Sequence, residues 1–497
     1  MTVLHYLEET SKRYGDKTAI VDHAGTLSFN TLRENALKVA GYISNHLNGK
    51  RNAPIFVYLP KSKKTIVCFL GIAYSGNLYS LTDVKFPYEK ADRIINLLSP
   101  ALIITDNKNG DKLRENGVSK EKIVLYDDII ASGCAFNPEP ELTKIIDRDP
   151  LYVLFTSGST GTPKGVTIAH GSVRDYIDFL VKKFDLNKSL KILNQAPFYF
   201  DNSVLDIYVT LAVGAELHIV SETYYTYAAK LTHYISDKGI NFIFWVPSAI
   251  IHVANSGTLA SLSDSCLNDV FFCGEVMSNK QLNQWRRTLP QARFVNLYGP
   301  TEITDACTYF EVSRSFGDDE PLPLGYPCDN TDIMLLDEGN MRIVEPNIQG
   351  ELCVRGSSLS LGYWKNPVET TQRFIQNPLH NNYEEKIYKT GDLAHYNKRG
   401  EIMFDGRKDF QIKHMGHRIE LGEIESAASS VSGVTHVCAL YNQEIILVYV
   451  GETDCDTVHK ALAAKLPRYM VPGLYQKIDK MPLNDNGKID RKSLGTL

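Results

Sequence analysis

The stretch Leu154-Phe155-Thr156-Ser157-Gly158-Ser159-Thr160-Gly161-Thr162-Pro163-Lys164-Gly165 carries the plainest chemistry in the sequence. An apolar run leads into clustered hydroxyls and three glycines, with a lysine among them. Exposed N–H groups in such a turn can cradle phosphate oxygens, and Lys164 adds positive charge. The spacing is not GxxxxGK[ST], so this is not the loop of a P-loop NTPase. By itself the composition also fits an ordinary surface turn, and both readings stay open on this stretch alone.

Such a loop needs a buried strand behind it and a helical layer to hold that strand. Short, nearly continuous apolar runs occur at 55–59, 102–104, 123–125, 151–155, 242–246, 270–273 and 294–297. Runs of this kind are expected of strands buried on both faces. Between them lie segments of helical periodicity, such as Leu32, Ala36, Val39, Ala40, Ile43 and Leu47, with Asn30 as the candidate cap. The fold class is α/β. From about residue 318 to 408 the texture turns to short strand-like pieces, including 350–356, which predicts a β-rich subdomain closing a large domain of residues 1–408. Residues 409–497 hold an amphipathic stretch near 420–430, an apolar strand at 445–450, a helix near 458–466, then Pro467, Pro472 and Pro482. This predicts a small α+β C-terminal domain.

A chain of 497 residues exceeds one ordinary core, in keeping with two or three domains. The formal charge of −5, from 53 basic and 58 acidic residues without a basic block, lacks the usual footprint of nucleic-acid binding. The N-terminal residues mix acids and bases where a signal peptide needs an apolar core, and no run approaches the ~20 apolar residues of a membrane span. A cytoplasmic protein without membrane insertion is expected. Nine cysteines without a CxxC suit reduced thiols and argue against a disulfide framework or structural zinc.

The phosphate loop is followed in order by Asn296-Leu297-Tyr298-Gly299-Pro300-Thr301-Glu302, Tyr388-Lys389-Thr390-Gly391-Asp392, Gly406-Arg407-Lys408-Asp409, Gly416-His417-Arg418-Ile419-Glu420-Leu421-Gly422-Glu423-Ile424-Glu425 and Asn486-Gly487-Lys488-Ile489-Asp490-Arg491. This ordered set, spread over essentially the whole chain, resembles the adenylate-forming (AMP-binding) superfamily. That family includes acyl-CoA synthetases, luciferase-like ligases and the adenylation domains of nonribosomal peptide synthetases. The resemblance implies ATP and Mg2+ as cofactors. It assigns Thr156, Ser157, Gly158, Ser159, Thr160, Gly161, Lys164, Gly274, Glu275 and Asn296 to the nucleotide. Tyr298 would stack on adenine, Asp392 accept the ribose hydroxyls, and Arg407 donate to the same sugar region. Thr301 would contact phosphate, and Glu302 would hold the magnesium ion as a hard carboxylate ligand. Lys488 is implied as the catalytic lysine that stabilises charge while the adenylate forms, with Lys413 serving the second half-reaction. In the family the small domain rotates about the hinge matching Asp409 between the two steps.

The segment Phe200-Asp201-Asn202-Ser203-Val204-Leu205-Asp206 separates the subfamilies. The resemblance makes Asp201 the partner of a substrate ammonium, which argues for an amino acid and against an acyl-CoA synthetase. The side-chain pocket it implies is Asn202, Leu205, Phe244, Phe271, Cys273, Leu297, Asp305 and Ala306, a restricted space suited to a small or short polar side chain. Within the family the chain looks most like D-alanine–carrier protein ligases and stand-alone adenylation domains, through its length, Phe272-Cys273-Gly274-Glu275-Val276 and Asp206-Ile207-Tyr208. It departs from those ligases at Asn202, Phe271, Leu297 and above all Asp305, and more locally at Gly76-Asn77-Leu78-Tyr79-Ser80-Leu81-Thr82-Asp83. D-Alanine, serine, threonine and a short diamino acid all remain candidate substrates. The expected acceptor is the phosphopantetheine thiol of a separate carrier protein, since few residues follow Asp490, and a monomer is expected. A noncatalytic adenylate-binding protein is disfavoured by Glu302, Asp392 and Lys488 occurring together.

Overall fold

The computed structural model describes residues 1–158, 162–408, 411–482, 489 and 491–495. The chain divides into two compact units. One comprises Met1–Val84, Leu98–Leu154 and Val166–Gly406, the other Lys85–Leu97, Phe155–Gly165 and Arg407–Leu497.

Among the described residues the first unit is built on two large sheets and a smaller one. In the nine-stranded sheet, Arg293–Tyr298, Asp269–Cys273, Phe242–Trp245, Lys191–Asn194, Glu216–Ile219 and Thr18–Asp22 run parallel in that spatial order, with antiparallel strands at both edges. The seven-stranded sheet holds parallel Pro150–Thr156, Leu78–Leu81, Pro54–Tyr58, Leu102–Thr105 and Ile123–Leu125. These are the apolar runs of the sequence, and the structure shows why they are continuous. Along Asp269–Cys273, Phe271 and Cys273 enter one core while Val270 and Phe272 enter a second on the opposite face. Phe244 and Trp245 divide in the same way, so neither face can be polar.

The helix Asn202–Val213 has every residue from Asn202 to Leu211 buried and ends at Gly214, whose φ of 78° only glycine adopts cheaply. The helix that carries Leu32 and Ile43 spans Phe29–His46 and is capped by Ser28, not by Asn30. Ser28 is extended and accepts a hydrogen bond from the Thr31 N–H, whereas Asn30 is already helical and its amide donates to Asp16. The β-rich part is a six-stranded sheet centred on Thr331–Leu336, Gly350–Gly356 and Lys386–Tyr396.

The second unit is a small α+β body. Val434–Asn442, Glu444–Gly451 and Leu474–Lys477 form its sheet, against which Leu421–Ser429 and Cys455–Lys465 pack through Ile424, Ala428, Val458 and Leu462. No helix among the described residues is long and apolar enough to cross a membrane.

Candidate active site

Asp201, Gly274, Glu275 and the residues from Thr301 to Ala306 follow the C-terminal ends of parallel strands, where open α/β sheets leave a crevice for ligands, whereas Asp392 lies in the antiparallel strand Lys386–Tyr396. Beyond the Lys191–Asn194 strand, Asp201 caps the Asn202–Val213 helix by accepting a hydrogen bond from the Asn202 N–H at 3.1 Å. Asp201 is only 8% exposed. Beside it the Asn202 Nδ2 is buried and makes no hydrogen bond among the described residues. Leu205, Phe244, Phe271, Cys273, Leu297 and Ala306 share one core with this helix, so the structure brings the apolar pocket residues together. Phe271 is wedged edge-on against Phe184 with ring centres 4.8 Å apart, which fixes it as a wall.

The loop from Gly299 to Cys307 closes the hairpin between Arg293–Tyr298 and Thr308–Glu311 and carries four assigned residues, Thr301, Glu302, Asp305 and Ala306. It doubles back tightly enough that a Cβ on Gly299 would lie 2.5 Å from the Asp305 carbonyl oxygen. Thr304 and Asp305 both sit in the left-handed region, at φ 62° and 74°. Two consecutive non-glycine residues there cost of order 1–3 kcal/mol each, a strain typical of functional loops. It is held by the Thr304 hydroxyl donating to the Ser358 carbonyl at 2.8 Å and by the Cys307 N–H bonding the Tyr298 carbonyl at 2.8 Å.

Glu302 is 1% exposed, and its Oε1 accepts the hydroxyl of Tyr363 at 2.7 Å. The Tyr298 hydroxyl donates to Asp392 across 94 positions of sequence, uniting two of the motifs. Burial and the neighbouring Asp392 push the Tyr298 hydroxyl well above its ordinary pKa, which keeps it a donor. Asp392 follows Gly391 (φ 77°), where three residues of Lys386–Tyr396 oppose Leu352, a bulge that re-aims the strand. The Asn296 amide donates to the Pro323 carbonyl at 2.8 Å, and Glu275, after Gly274 (φ 105°), accepts from the Ser248 N–H at 2.9 Å. Both therefore carry structural bonds besides any contact with nucleotide.

Asp305, read from sequence as facing the substrate side chain, is 1% exposed and takes the hydroxyl of Tyr176 on Oδ2 at 2.9 Å. Tyr176 and Tyr363 are the partners that the sequence reading missed; each is a plain aromatic in an apolar neighbourhood, without a motif to mark it. Tyr152, fully buried with a hydroxyl that makes no hydrogen bond among the described residues, is affected by both Asp201 and Asp305. Asp305 is thus held by Tyr176, and both it and Asp201 act on the buried Tyr152 hydroxyl.

Within the second unit the Ser157 hydroxyl donates to the Arg418 carbonyl at 2.7 Å and accepts from the Glu420 N–H at 3.2 Å. The Thr156 hydroxyl reaches the carbonyl of Lys164, which opens the Lys164–Ala169 strand. A Cβ on Gly158 would fall 2.0 Å from the Thr162 carbonyl oxygen, so the loop closes on itself only with glycine there. Gly158→Ala is expected to strain the loop by about 1–3 kcal/mol and to raise KM for ATP about tenfold. ATP titrations in a pyrophosphate-exchange assay check this, and an unchanged KM would remove the loop from the nucleotide site. Arg407 and Lys413 also belong to this unit. Ser159, Thr160, Gly161, Asp409 and Lys488 lie outside the described residues.

Residues 7–364 match the family model described as "AMP-binding enzyme". The chain belongs to the AMP-binding enzyme family. It is an ATP-dependent, adenylate-forming ligase of the type found in nonribosomal peptide synthetases and D-alanine carrier protein ligases. It is 30% identical over 99% of its length to tyrocidine synthase 1 of Brevibacillus parabrevis, of which it spans 44%. The chain thus spans under half of that relative. It is 32% identical to the D-alanine–D-alanyl carrier protein ligase of Listeria innocua over 96% of this chain and 95% of the ligase. Among solved structures, the Vibrio cholerae adenylation domain AlmE in complex with glycyl-adenosine-5'-phosphate shares the fold. Its TM-score is 0.86 at 21% identity, covering 100% of this chain and 98% of that one.

Proposed function

We propose that the protein activates a small or short polar amino acid with ATP and passes it to the phosphopantetheine thiol of a carrier protein. In the first step a substrate carboxylate oxygen attacks the α-phosphorus, the bond to pyrophosphate breaks, and aminoacyl-AMP forms. In the second step the thiol loses its proton, sulfur attacks the acyl carbon and AMP leaves. Tyr298 stacks on adenine, Asp392 binds the ribose, Thr301 holds phosphate and Asp201 holds the ammonium; the family resemblance assigns Arg407 and the hydroxyls and lysine of 156–164 to ATP as well. Glu302 fits magnesium, which is commonly bound by one or two carboxylates together with substrate phosphates. That ion, when bound, neutralises phosphate charge.

The observation that carries this reading is the buried Asp201 at the head of a helix whose Leu205 shares a core with Phe244, Phe271, Cys273, Leu297 and Ala306. A carboxylate so placed offers a substrate ammonium a desolvated partner, and a plain fatty or aryl acid has no ammonium to bring. The carrier follows from the D-alanyl carrier protein named in the Listeria relative. Pyrophosphate exchange over D- and L-amino acids, followed by thioester loading of a holo carrier, tests both steps. Exchange with plain carboxylic acids only, or productive release only by free CoA, would overturn the proposal.

A D-alanine–carrier protein ligase proper is the second reading. It is favoured by the Tyr176 hydroxyl, which already satisfies one oxygen of Asp305 and lets the rest of the pocket serve a methyl group. Our preferred reading is a short side chain bearing a hydrogen-bond donor, because a methyl group offers Asp305 and Tyr152 nothing. Asp305→Val is expected to lower kcat/KM for that substrate roughly tenfold or more and to narrow its advantage over alanine. A wild-type preference for D-alanine that survives Asp305→Val would instead make Asp305 structural and select the second reading.

A further inference from the structure

Asp206, one turn into the Asn202–Val213 helix, has no part in the chemistry proposed above. It is 0% exposed and its Oδ2 accepts the amide Nδ2 of Asn194, also 0% exposed, at 2.7 Å. Asn194 is the last residue of the Lys191–Asn194 strand, so this bond ties the start of the helix to the strand end. The other oxygen of each group, Asp206 Oδ1 and Asn194 Oδ1, is buried without a hydrogen-bond partner among the described residues. Both are acceptors if Asp206 is ionised, and two buried acceptors on joined planar groups would each forfeit a bond. One proton removes the difficulty. Placed on Asp206 Oδ1, it is donated to Asn194 Oδ1 and closes a cyclic pair with the existing Nδ2–H···Oδ2 bond.

We propose that Asp206 is held as the neutral acid in a cyclic carboxylic acid–amide pair with Asn194, a pH-dependent clasp that positions the substrate-binding end of the helix. The surroundings agree. Complete burial pushes Asp206 up to about 8, against the smaller opposing effects of the Asn194 amide and Lys61. The charged and titratable groups acting on it from neighbouring elements, among the described residues, are Lys61 and Tyr225. Lys61 directs its ammonium to the carbonyls of Asn194 and Gln195, at 3.3 and 3.1 Å, rather than to the carboxyl. Tyr225 donates its hydroxyl to the Asn194 carbonyl at 3.0 Å. On the helix itself the Thr210 hydroxyl bonds the Asp206 carbonyl at 2.7 Å. Each of these donors is already directed at a backbone carbonyl.

Loss of the proton turns the second bond of the pair into a repulsion between oxygens, and the helix end with Asp201, Asn202 and Leu205 loses its anchor. Asp206 is thus a positioning residue; its kinetic consequence rests on the substrate role proposed for Asp201, whereas its protonation does not. Asp206→Asn preserves the cyclic geometry as an amide–amide pair that cannot titrate. The folded pKa is raised above the unfolded value of 3.8, so the wild type loses stability from this group as pH rises towards 8, and Asp206→Asn does not. The Tm advantage of Asp206→Asn over wild type is expected to widen from pH 5 to 8 and then level off. A pH-independent gap would overturn the neutral acid. The wild type should also show a protonated-carboxyl infrared band at pH 7 that fades above pH 8 and is missing from Asp206→Asn. The wild-type titration, with aspartate carbon-13 labelling, decides the point even if the variant does not fold, and the absence of such a band would overturn the proposal. In pyrophosphate exchange the ratio of wild-type to Asp206→Asn KM for the amino acid should rise about tenfold from pH 7 to 9, as the competent neutral fraction falls. A flat ratio beside a positive infrared result would overturn the positioning role. If no amino acid supports exchange, the proposed function fails while the Tm and infrared results still judge the pair.

Discussion

Asp201→Ala is expected to reduce amino-acid-dependent pyrophosphate exchange by roughly 10²- to 10⁴-fold while leaving ATP binding nearly unchanged. The magnitude follows from removing one member of the proposed charge pair with the substrate ammonium, which costs about 3–5 kcal/mol because the other charge is left buried and uncompensated. Asp201 is 8% exposed, so little solvent remains to take its place. Tyr298, Glu302 and Asp392 stand on other elements, which keeps the proposed nucleotide contacts out of the change. The side chain also caps the Asn202–Val213 helix, a bond worth about 1 kcal/mol in stability. Asp201→Asn separates the two roles, since the amide oxygen still caps the helix but carries no charge. Exchange and equilibrium ATP binding are measured on both variants. An Asp201→Asn enzyme as active as wild type would reduce Asp201 to a helix cap, and robust exchange by Asp201→Ala would return the protein to the acyl-CoA synthetase class.

The sequence exposed the sheet cores because strands buried on both faces leave an unbroken apolar trace: 270–273 lies in the parallel strand Asp269–Cys273 and 445–450 in Glu444–Gly451, the central strand of a mixed sheet. Helix ends were less legible where cap-forming residues cluster. Ser28 and Asn30 are both good caps, and only the extended backbone at Ser28 decides between them. The first helix, Leu4–Tyr14, left only the short apolar trace of Leu4 and Leu7, because its buried face continues with Thr10 and Ser11. The Thr10 hydroxyl satisfies itself on the Leu211 carbonyl at 2.6 Å, a contact that no local pattern announces.

In the candidate site, legibility followed the same rule. Asp201, Tyr298, Glu302 and Asp392 stand in motifs and Asp305 three residues beyond one, but Tyr363 and Tyr176, which orient Glu302 and Asp305, do not. Tyr363 reaches Glu302 from 61 positions away and Tyr176 reaches Asp305 from 129. Such pairs depend on how the helix His170–Phe184 and the strand Gly362–Tyr363 approach the loop from Gly299 to Cys307 in space. Asp305 shows the consequence: from sequence it looked like an isolated anion among Leu205, Phe244, Phe271 and Leu297, whereas the fold gives it a tyrosine donor. The local departure at Gly76-Asn77 is also absorbed by the fold, since the Asn77 Oδ1 accepts from the Ala53 N–H at 2.9 Å at the edge of the Leu78–Leu81 strand.

Lys488→Ala is expected to slow adenylate formation by on the order of 10²-fold or more while leaving thioester transfer from supplied aminoacyl-adenylate comparatively intact. As the carboxylate oxygen approaches the α-phosphorus, two anionic groups come together and negative charge builds on the phosphate oxygens and the departing pyrophosphate. A lysine between them offsets that charge only while the bond is forming, so its loss should fall on kcat more than on KM. The second step has no such demand: the thiolate attacks a neutral acyl carbon, and AMP departs with its charge already accommodated. The family resemblance assigns the residue. Pyrophosphate exchange reads the first step, and thioester loading of a holo carrier from purified aminoacyl-adenylate reads the second. An equal loss in both would mean that Lys488 serves stability rather than adenylation, which the Tm of the variant would then show as a fall. A loss confined to exchange at an unchanged Tm would make the lysine a catalytic group of adenylation alone, and would show that the chain presents different residues to its two half-reactions.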